Sequence, residues 1–177
     1  RKVRDLTVVI LNRPRHDQLI SEVRECGARI KLIQDGDVAA AISTALPNTG
    51  VDMLMGIGGA PEAVLTTAAI KCLGGELQTK LWIRDDEDAS RAGERGFDDA
   101  ERVYCSEDLA RGNSIVFAAT GITDGDMLQG VRYYAEKATT ESIVMRMLTG
   151  TVRRIHTTHD LSRKTLRSFK AGQEMIP

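Results

Sequence analysis

Aromatic side chains are scarce: phenylalanine, tryptophan and tyrosine make up 4% of the 177 residues. That is too few rings for the stacking surface on which single-stranded nucleic acid is held. An excess of one charge is lacking too. Lys and Arg number 24 and Asp and Glu 25, a net charge of -1, so neither nucleic acid nor an anionic membrane is drawn to the chain as a whole. No apolar run approaches the roughly 18 residues that span a bilayer, and no secretory apolar segment opens the sequence. Cysteine is sparse, with only Cys26, Cys72 and Cys105, odd in number and widely spaced. Such spacing suits neither a disulfide framework nor a zinc site and points to a reducing, cytoplasmic setting. At 42% hydrophobic, the chain can bury a core as one domain or as half of a larger one. Arg1-Lys2-Val3-Arg4 carries no initiator methionine and runs straight into a core strand. Processing or tag removal explains this, as does a larger protein cut between elements.

What is present is a rhythm. Val8 to Leu11 is an unbroken apolar run, too short for a helix and suited to a buried strand. Leu19, Ile20, Val23 and Cys26 repeat at helical spacing, with Gly27 where a helix ends. Ile30 to Ile33 returns to strand, and Val38, Ala41, Ile42 and Ala45 mark a second helix. Asp52 to Met55 reads as a third strand, and Val64 to Leu73 as the stripe of its helix. Further strands are expected at Leu77–Ile83, Ile115–Ala119, Ser142–Arg146 and Thr151–Ile155, with a surface helix within 84–98. Strand, loop and helix in repeated order predict an α/β layered domain with a largely parallel sheet flanked by helices. In such sheets ligands sit beyond the carboxyl ends of the strands. Four loops leave strands at that end: Arg13 to His16, Asp35 to Asp37, Gly56 to Glu62, and Thr120 to Asp126.

The most informative loop is Met55-Gly56-Ile57-Gly58-Gly59-Ala60-Pro61-Glu62. Glycines at 56, 58 and 59 let the backbone turn tightly against an anion. Pro61 fits the first helical turn, where a missing N–H costs nothing. Glu62 then sets a carboxylate at the positive helix end, where it stays ionised. A bend that welcomes phosphate yet adds a carboxylate points to a metal between them, and to chemistry on phosphate esters.

Arg13 and Arg15 flank Pro14, which spaces two guanidinium groups suited to phosphate; they read equally as exposed arginines before a helix. Asp35 can accept hydrogen bonds from sugar hydroxyls, or Asp35 and Asp37 can share a cation; the plain alternative makes Asp37 the cap of the helix from Val38. Asp124 and Asp126 carry the same alternative before an expected helix. Asp85 to Asp88 reads as a solvated face or a helix start. The glycines fall short of a dinucleotide fingerprint because Pro61 and Glu62 occupy its last turn. His156 and His159 lack a third ligand nearby, and His16 reads as a loop or helix-start residue rather than a base. No Ser or Cys sits in a nucleophile elbow.

The strings LNRPRH, DGDVAAAI, MGIGGAPE, KCLGGE and FAATGITDGD, in that order, resemble the carboxyl-terminal half of class II fructose-1,6-bisphosphatases. They are similar also to the bifunctional fructose/sedoheptulose bisphosphatases of photosynthetic organisms. The resemblance implies a layered fold of the lithium-sensitive sugar-phosphatase type over residues 1–162, a polar tail over 163–177, and an absent amino-terminal half. It implies that Arg13, Pro14, Arg15, Asp35, Gly36, Asp37 and Gly59 bind substrate and that Glu62 ligates a divalent metal. The other metal carboxylates and the residues that position the attacking water are expected in the absent half. Mn²⁺ or Mg²⁺ suits such hard ligands. The implied reaction is hydrolysis of the 1-phosphate of fructose 1,6-bisphosphate, or of sedoheptulose 1,7-bisphosphate, in gluconeogenesis or the Calvin cycle. This chain alone is expected to be inactive. The implied partners are the sugar bisphosphate, the other half and further copies in a homo-oligomer, with no nucleic acid and no membrane. Ala63 and Ala135-Glu136-Lys137 depart from the glycines usual in the family. Two other readings stand beside this one. Asp35 can serve as an aspartyl nucleophile, although Ala39 stands where that motif has threonine, or the chain can bind or dock without turnover.

Overall fold

The structure, a computed structural model, describes residues 1–97 and 99–163. Its first layers follow from one apolar run. Val8, Val9 and Ile10 are 4%, 1% and 0% exposed, so β1 (Thr7–Leu11) is covered on both faces, as the central strand of a parallel sheet must be. It pairs in parallel with β2 (Arg29–Ile33), from Thr7 opposite Arg29 to Leu11 opposite Ile33, and with β3 (Met53–Leu54). The order is β2-β1-β3. Side chains alternate across β1. Val8 and Ile10 pack with Ile20 and Val23 of α1 (Asp17–Glu25) on one face. Val9 looks toward α2 (Asp37–Thr44) on the other.

Beyond α2 lies α3 (Ala60–Cys72), which packs beside it. A loop region follows with β4 (Gln78–Thr79), α4 (Asp86–Glu94), β5 (Tyr104–Cys105) and the single turn α5 (Ser106–Leu109). The last layer is a sheet of β6 (Val116–Thr120), β7 (Arg132–Tyr134), β8 (Lys137–Arg146) and β9 (Thr151–Asp160). β8 is its centre, with β6 and β7 on one side and β9 on the other. The main core lies between the helices and this sheet: Ile42, Ala69 and Cys72 meet Phe117, Leu128, Ile143 and Met145. The layers therefore run α1, parallel sheet, α2 with α3, antiparallel sheet.

The mixed α/β layering agrees with expectation, but a largely parallel sheet does not. Among the described residues only β1 to β3 are parallel, and every pairing from β4 onward is antiparallel. The cause is the connections. β7 and β8 are joined by Ala135-Glu136, and β8 and β9 by the turn Met147–Gly150, lengths that only antiparallel neighbours allow. Leu77–Ile83 shrinks to the Gln78–Thr79 bridge, and no helix follows Asp124 and Asp126. That loop closes on itself instead: the Gly125 N–H donates to Leu128 and the Val131 N–H to Ile122. The polar tail expected from 163 lies, after Arg163, outside the described residues. Among those described, no helix is long and apolar enough to cross a membrane.

Of the two readings of the Asp85–Asp88 run, the helix start is the one that forms. Asp85 caps α4 by accepting from the Asp88 N–H at 2.8 Å. The Arg84 guanidinium, donating to Asp88 at 2.6 Å, brings that carboxyl from its ordinary 3.8 down to about 2. A depressed carboxylate favours the folded state above its ordinary value, and the support disappears as pH falls through about 2. An NMR titration of the Asp88 carboxyl is expected to show that low midpoint, and Arg84→Ala to return it toward 3.8. Ala135 begins the β7–β8 turn at φ +47°, where a Cβ is strained and glycine is favoured. Ala135→Gly is expected to raise unfolding stability by about 1 kcal/mol, read from the urea midpoint at unchanged slope.

Candidate functional site

β1, β2 and β3 run the same way, so the chain leaves all three at one edge of the sheet. Three of the four loops read from the sequence emerge there side by side. In the order β2-β1-β3, the gap between the β1 and β3 loops is where the crossovers turn in opposite directions, the usual place for a ligand.

The arginine loop is tied to both neighbours. Arg13 donates through Nη2 to the Gln34 carbonyl at 2.5 Å and through Nη1 to the Asn12 carbonyl at 3.0 Å, which fastens it to the end of β2. Pro14 opens a single 3-10 turn, Pro14–His16, that leads into α1. Arg15 donates through Nη2 and Nε to the Ile57 carbonyl at 3.0 and 3.2 Å, which fastens it to the glycine bend.

The second loop turns on Gly36, whose φ of +78° is left-handed and disfavours any other residue. Gly36 itself takes the cap position of α2, so Asp37 is the first helical residue and not the cap considered above. Its Oδ1 accepts from the Val38 N–H at 2.9 Å. Its Oδ2 lies 3.4 Å from where a Cβ on Gly58 would stand, so this carboxylate reaches the glycine bend. Asp35 is exposed on the same edge.

The third loop ends at α3. The Ala63 N–H makes the first helical bond, to Gly59, which leaves the Ala60 and Glu62 amides without helical partners and Pro61 with none to satisfy. Glu62 folds back over Gly59: a Cβ built there would fall on its Oε2. The carboxylate is exposed and, among the described residues, forms no ion pair. Arg13, Pro14, Arg15, Asp35, Gly36, Asp37, Gly59 and Glu62 thus share one edge.

The fourth loop stands apart. Asp124 accepts from the Gly130 N–H at 2.9 Å and pairs with Arg132, while Asp126 pairs with Lys31. Both carboxylates are thus engaged by partners within the chain, in exposed ion pairs. A cleft lined by Val9, Lys31, Ser43, Asp126 and Arg154 lies on the α2 side of the parallel sheet and includes none of the expected site residues. His156 and His159 lie in β9, opposite Glu141 and Ala138, and three residues apart on a strand they face opposite ways. Cys72 is buried, and burial pushes its thiol up, away from a reactive thiolate.

The residue that sequence reasoning undervalued is His16. It is 0% exposed, with Nδ1 2.8 Å from the Leu11 carbonyl and Nε2 accepting the Ile57 N–H at 2.9 Å. Its only sequence signal was its place directly after Arg-Pro-Arg, and that says nothing of burial.

A divalent ion takes about six oxygen ligands. Among the described residues no group of three or more His, Cys, Asp or Glu is gathered to hold one. Glu62 offers one carboxylate at the positive end of a helix, a hard oxygen donor of the kind such an ion takes.

Comparison with known proteins decides the relationship. The profile of bacterial fructose-1,6-bisphosphatase, glpX-encoded, matches residues 1–159. The chain belongs to this family. Relatives from two Synechococcus strains, JA-3-3Ab and JA-2-3B'a(2-13), are each 44% identical over 173 residues, covering 90% of this chain and 49% of theirs. A relative from Crocosphaera subtropica is 44% identical over 172 residues, covering 90% and 50%. All three are D-fructose 1,6-bisphosphatase class 2/sedoheptulose 1,7-bisphosphatases. The chain spans about half the length of these bisphosphatase relatives.

Gly59 supplies a test of the geometry. Its φ of -74° suits any residue, and the atom a Cβ would strike is the end of a flexible side chain. Gly59→Ala is expected to change stability by under about 0.5 kcal/mol, as a surface substitution does. It is expected to displace Glu62, seen as a shift of the Glu62 carboxyl resonance at unchanged melting temperature.

Proposed function

We propose that this chain forms the substrate-holding, carboxyl-terminal half of a metal-dependent fructose-1,6-bisphosphatase that releases the 1-phosphate as inorganic phosphate. The observation that carries the proposal is the convergence of two arginines, two aspartates and a glycine bend under Glu62 at one sheet edge. The names of the relatives add sedoheptulose 1,7-bisphosphate as a second substrate.

Arg13 and Arg15, held by backbone carbonyls, present guanidinium groups that donate in pairs to phosphate oxygens. Asp35 and Asp37 accept from sugar hydroxyls. The unpaired amides that open α3 receive charge on the phosphoryl group being transferred. Holding the far end of the sugar raises the rate only by aligning the reacting end, and three mutually tied loops are suited to that. Glu62 and carboxylates from the other half would hold Mn²⁺ or Mg²⁺, which when bound polarises the phosphate and supplies the nucleophilic water.

The other half also accounts for exposed apolar side chains. Val64 and Leu65, next to Glu62, are 44% and 50% exposed, and Val116 on the antiparallel sheet is 62%. Covered by the second half, or by another copy in a cytoplasmic homo-oligomer, they would no longer meet water.

Phosphate release from fructose 1,6-bisphosphate is expected to be absent with this chain alone. It is expected to appear, with Mn²⁺ or Mg²⁺, when the part of the relatives' length that this chain does not span is joined to it. Turnover by the chain alone would overturn the half-site reading. In the joined protein, Glu62→Gln is expected to lower turnover at least about a hundredfold, and unchanged turnover at saturating Mn²⁺ would refute its role as a ligand.

A further inference from the structure

His16 lies beneath the site with no exposed surface, and its two ring nitrogens meet partners of opposite kind. A carbonyl oxygen only accepts, so Nδ1, 2.8 Å from Leu11 O, carries the proton. A backbone amide only donates, so Nε2, 2.9 Å from Ile57 N, presents its lone pair. These partners assign one species, the neutral Nδ1–H tautomer. An imidazolium or the other tautomer would set two N–H groups against each other or leave a buried acceptor unpaired.

The bond to Ile57 matters because of what Ile57 holds. Its N–H is taken by His16 and its carbonyl by Arg15, so both polar groups of one residue are gripped by neighbours in the arginine loop. Gly58 and Gly59 follow directly, and the ring edge also lies 3.4 Å from where a Cβ on Gly56 would stand. Free to twist, this glycine stretch has little else to fix its peptide planes. We propose that His16 is a positioning residue: as a neutral imidazole it sets the glycine bend at a fixed distance and angle from Arg13 and Arg15, and so preorganises the pocket for a sugar phosphate. The consequence for the ligand rests on the sugar-phosphate reading above; the consequence for the bend does not.

Two amide replacements separate the bonds. His16→Asn places a donor where Nδ1 stood and nothing at Nε2. His16→Gln extends an acceptor toward Ile57 and abandons Leu11. In the full chain, nitrogen-edited NMR of the ring is expected to show a neutral Nδ1–H tautomer. The Ile57 amide is expected to exchange with solvent about tenfold faster in His16→Asn than in His16→Gln, since one variant leaves that donor unpaired. Titration with fructose 6-phosphate is expected to give a dissociation constant about tenfold weaker for His16→Asn, with His16→Gln within about threefold of the unaltered chain. A bland structural role would lower melting temperature and the folded fraction of both variants while leaving the affinity of the folded fraction unchanged. That outcome, a charged ring, or equal Ile57 exchange in the two variants overturns the proposal. If the unaltered chain fails to bind fructose 6-phosphate, the sugar-phosphate reading fails, and the ring state with the Ile57 exchange then decides the role of His16 in the bend.

Discussion

A strand buried on both faces must have a neighbour on each edge and a layer on each side, and β1 imposes that demand on everything around it. Its parallel pairing with β2 and β3 sends three chain ends out at one place. Parallel neighbours require long crossovers, so α1 and α2 are obliged to fill the two faces. Once they do, the arginine loop, the Asp35–Asp37 loop and the glycine bend are adjacent. The site is thus a consequence of strand direction before any side chain acts on a ligand.

Adjacency alone leaves such loops loose. What converts it to a fixed shape is a set of bonds from side chain to backbone: Arg13 to Gln34, Arg15 to Ile57, and His16 to Leu11 and Ile57. The guanidinium groups proposed to meet phosphate are therefore anchored by carbonyls, and the carboxylate proposed to meet a cation rests on a residue without a Cβ. Positive groups, carboxylates and unpaired amides stand at the same sheet edge, which is what the proposed binding of a phosphate ester draws on. Among the described residues no cluster of acidic side chains gathers around Glu62.

Legibility in the sequence tracked how local each feature is. The Val8–Leu11 run, the helical spacing of Leu19 to Cys26 and the glycine bend before Pro61-Glu62 are patterns within a few residues, and each took the expected form. The antiparallel layer was misread because short apolar segments do not declare direction; the turns at Ala135 and Gly150 do, and they lacked a strong hairpin signature. Asp124 and Asp126 looked like their counterparts at 35 and 37. Only the tertiary contacts with Arg132 and Lys31 show that their carboxylates are paired within the chain.

By itself, then, the sequence determined which segments are strands or helices in the first half, where the backbone bends, and which chemical groups stand at the bends. It also carried the family, because motif order survives without coordinates. Tertiary structure decided which bends meet, that Gly36 displaces Asp37 from the cap, that the second sheet runs antiparallel, and that a histidine after Arg-Pro-Arg is wholly buried. The physical reason is range. Propensity and turn chemistry act over a few residues, whereas burial and hydrogen-bond partners depend on segments such as Leu11, His16 and Ile57, which only the packing of β1 against β3 brings together.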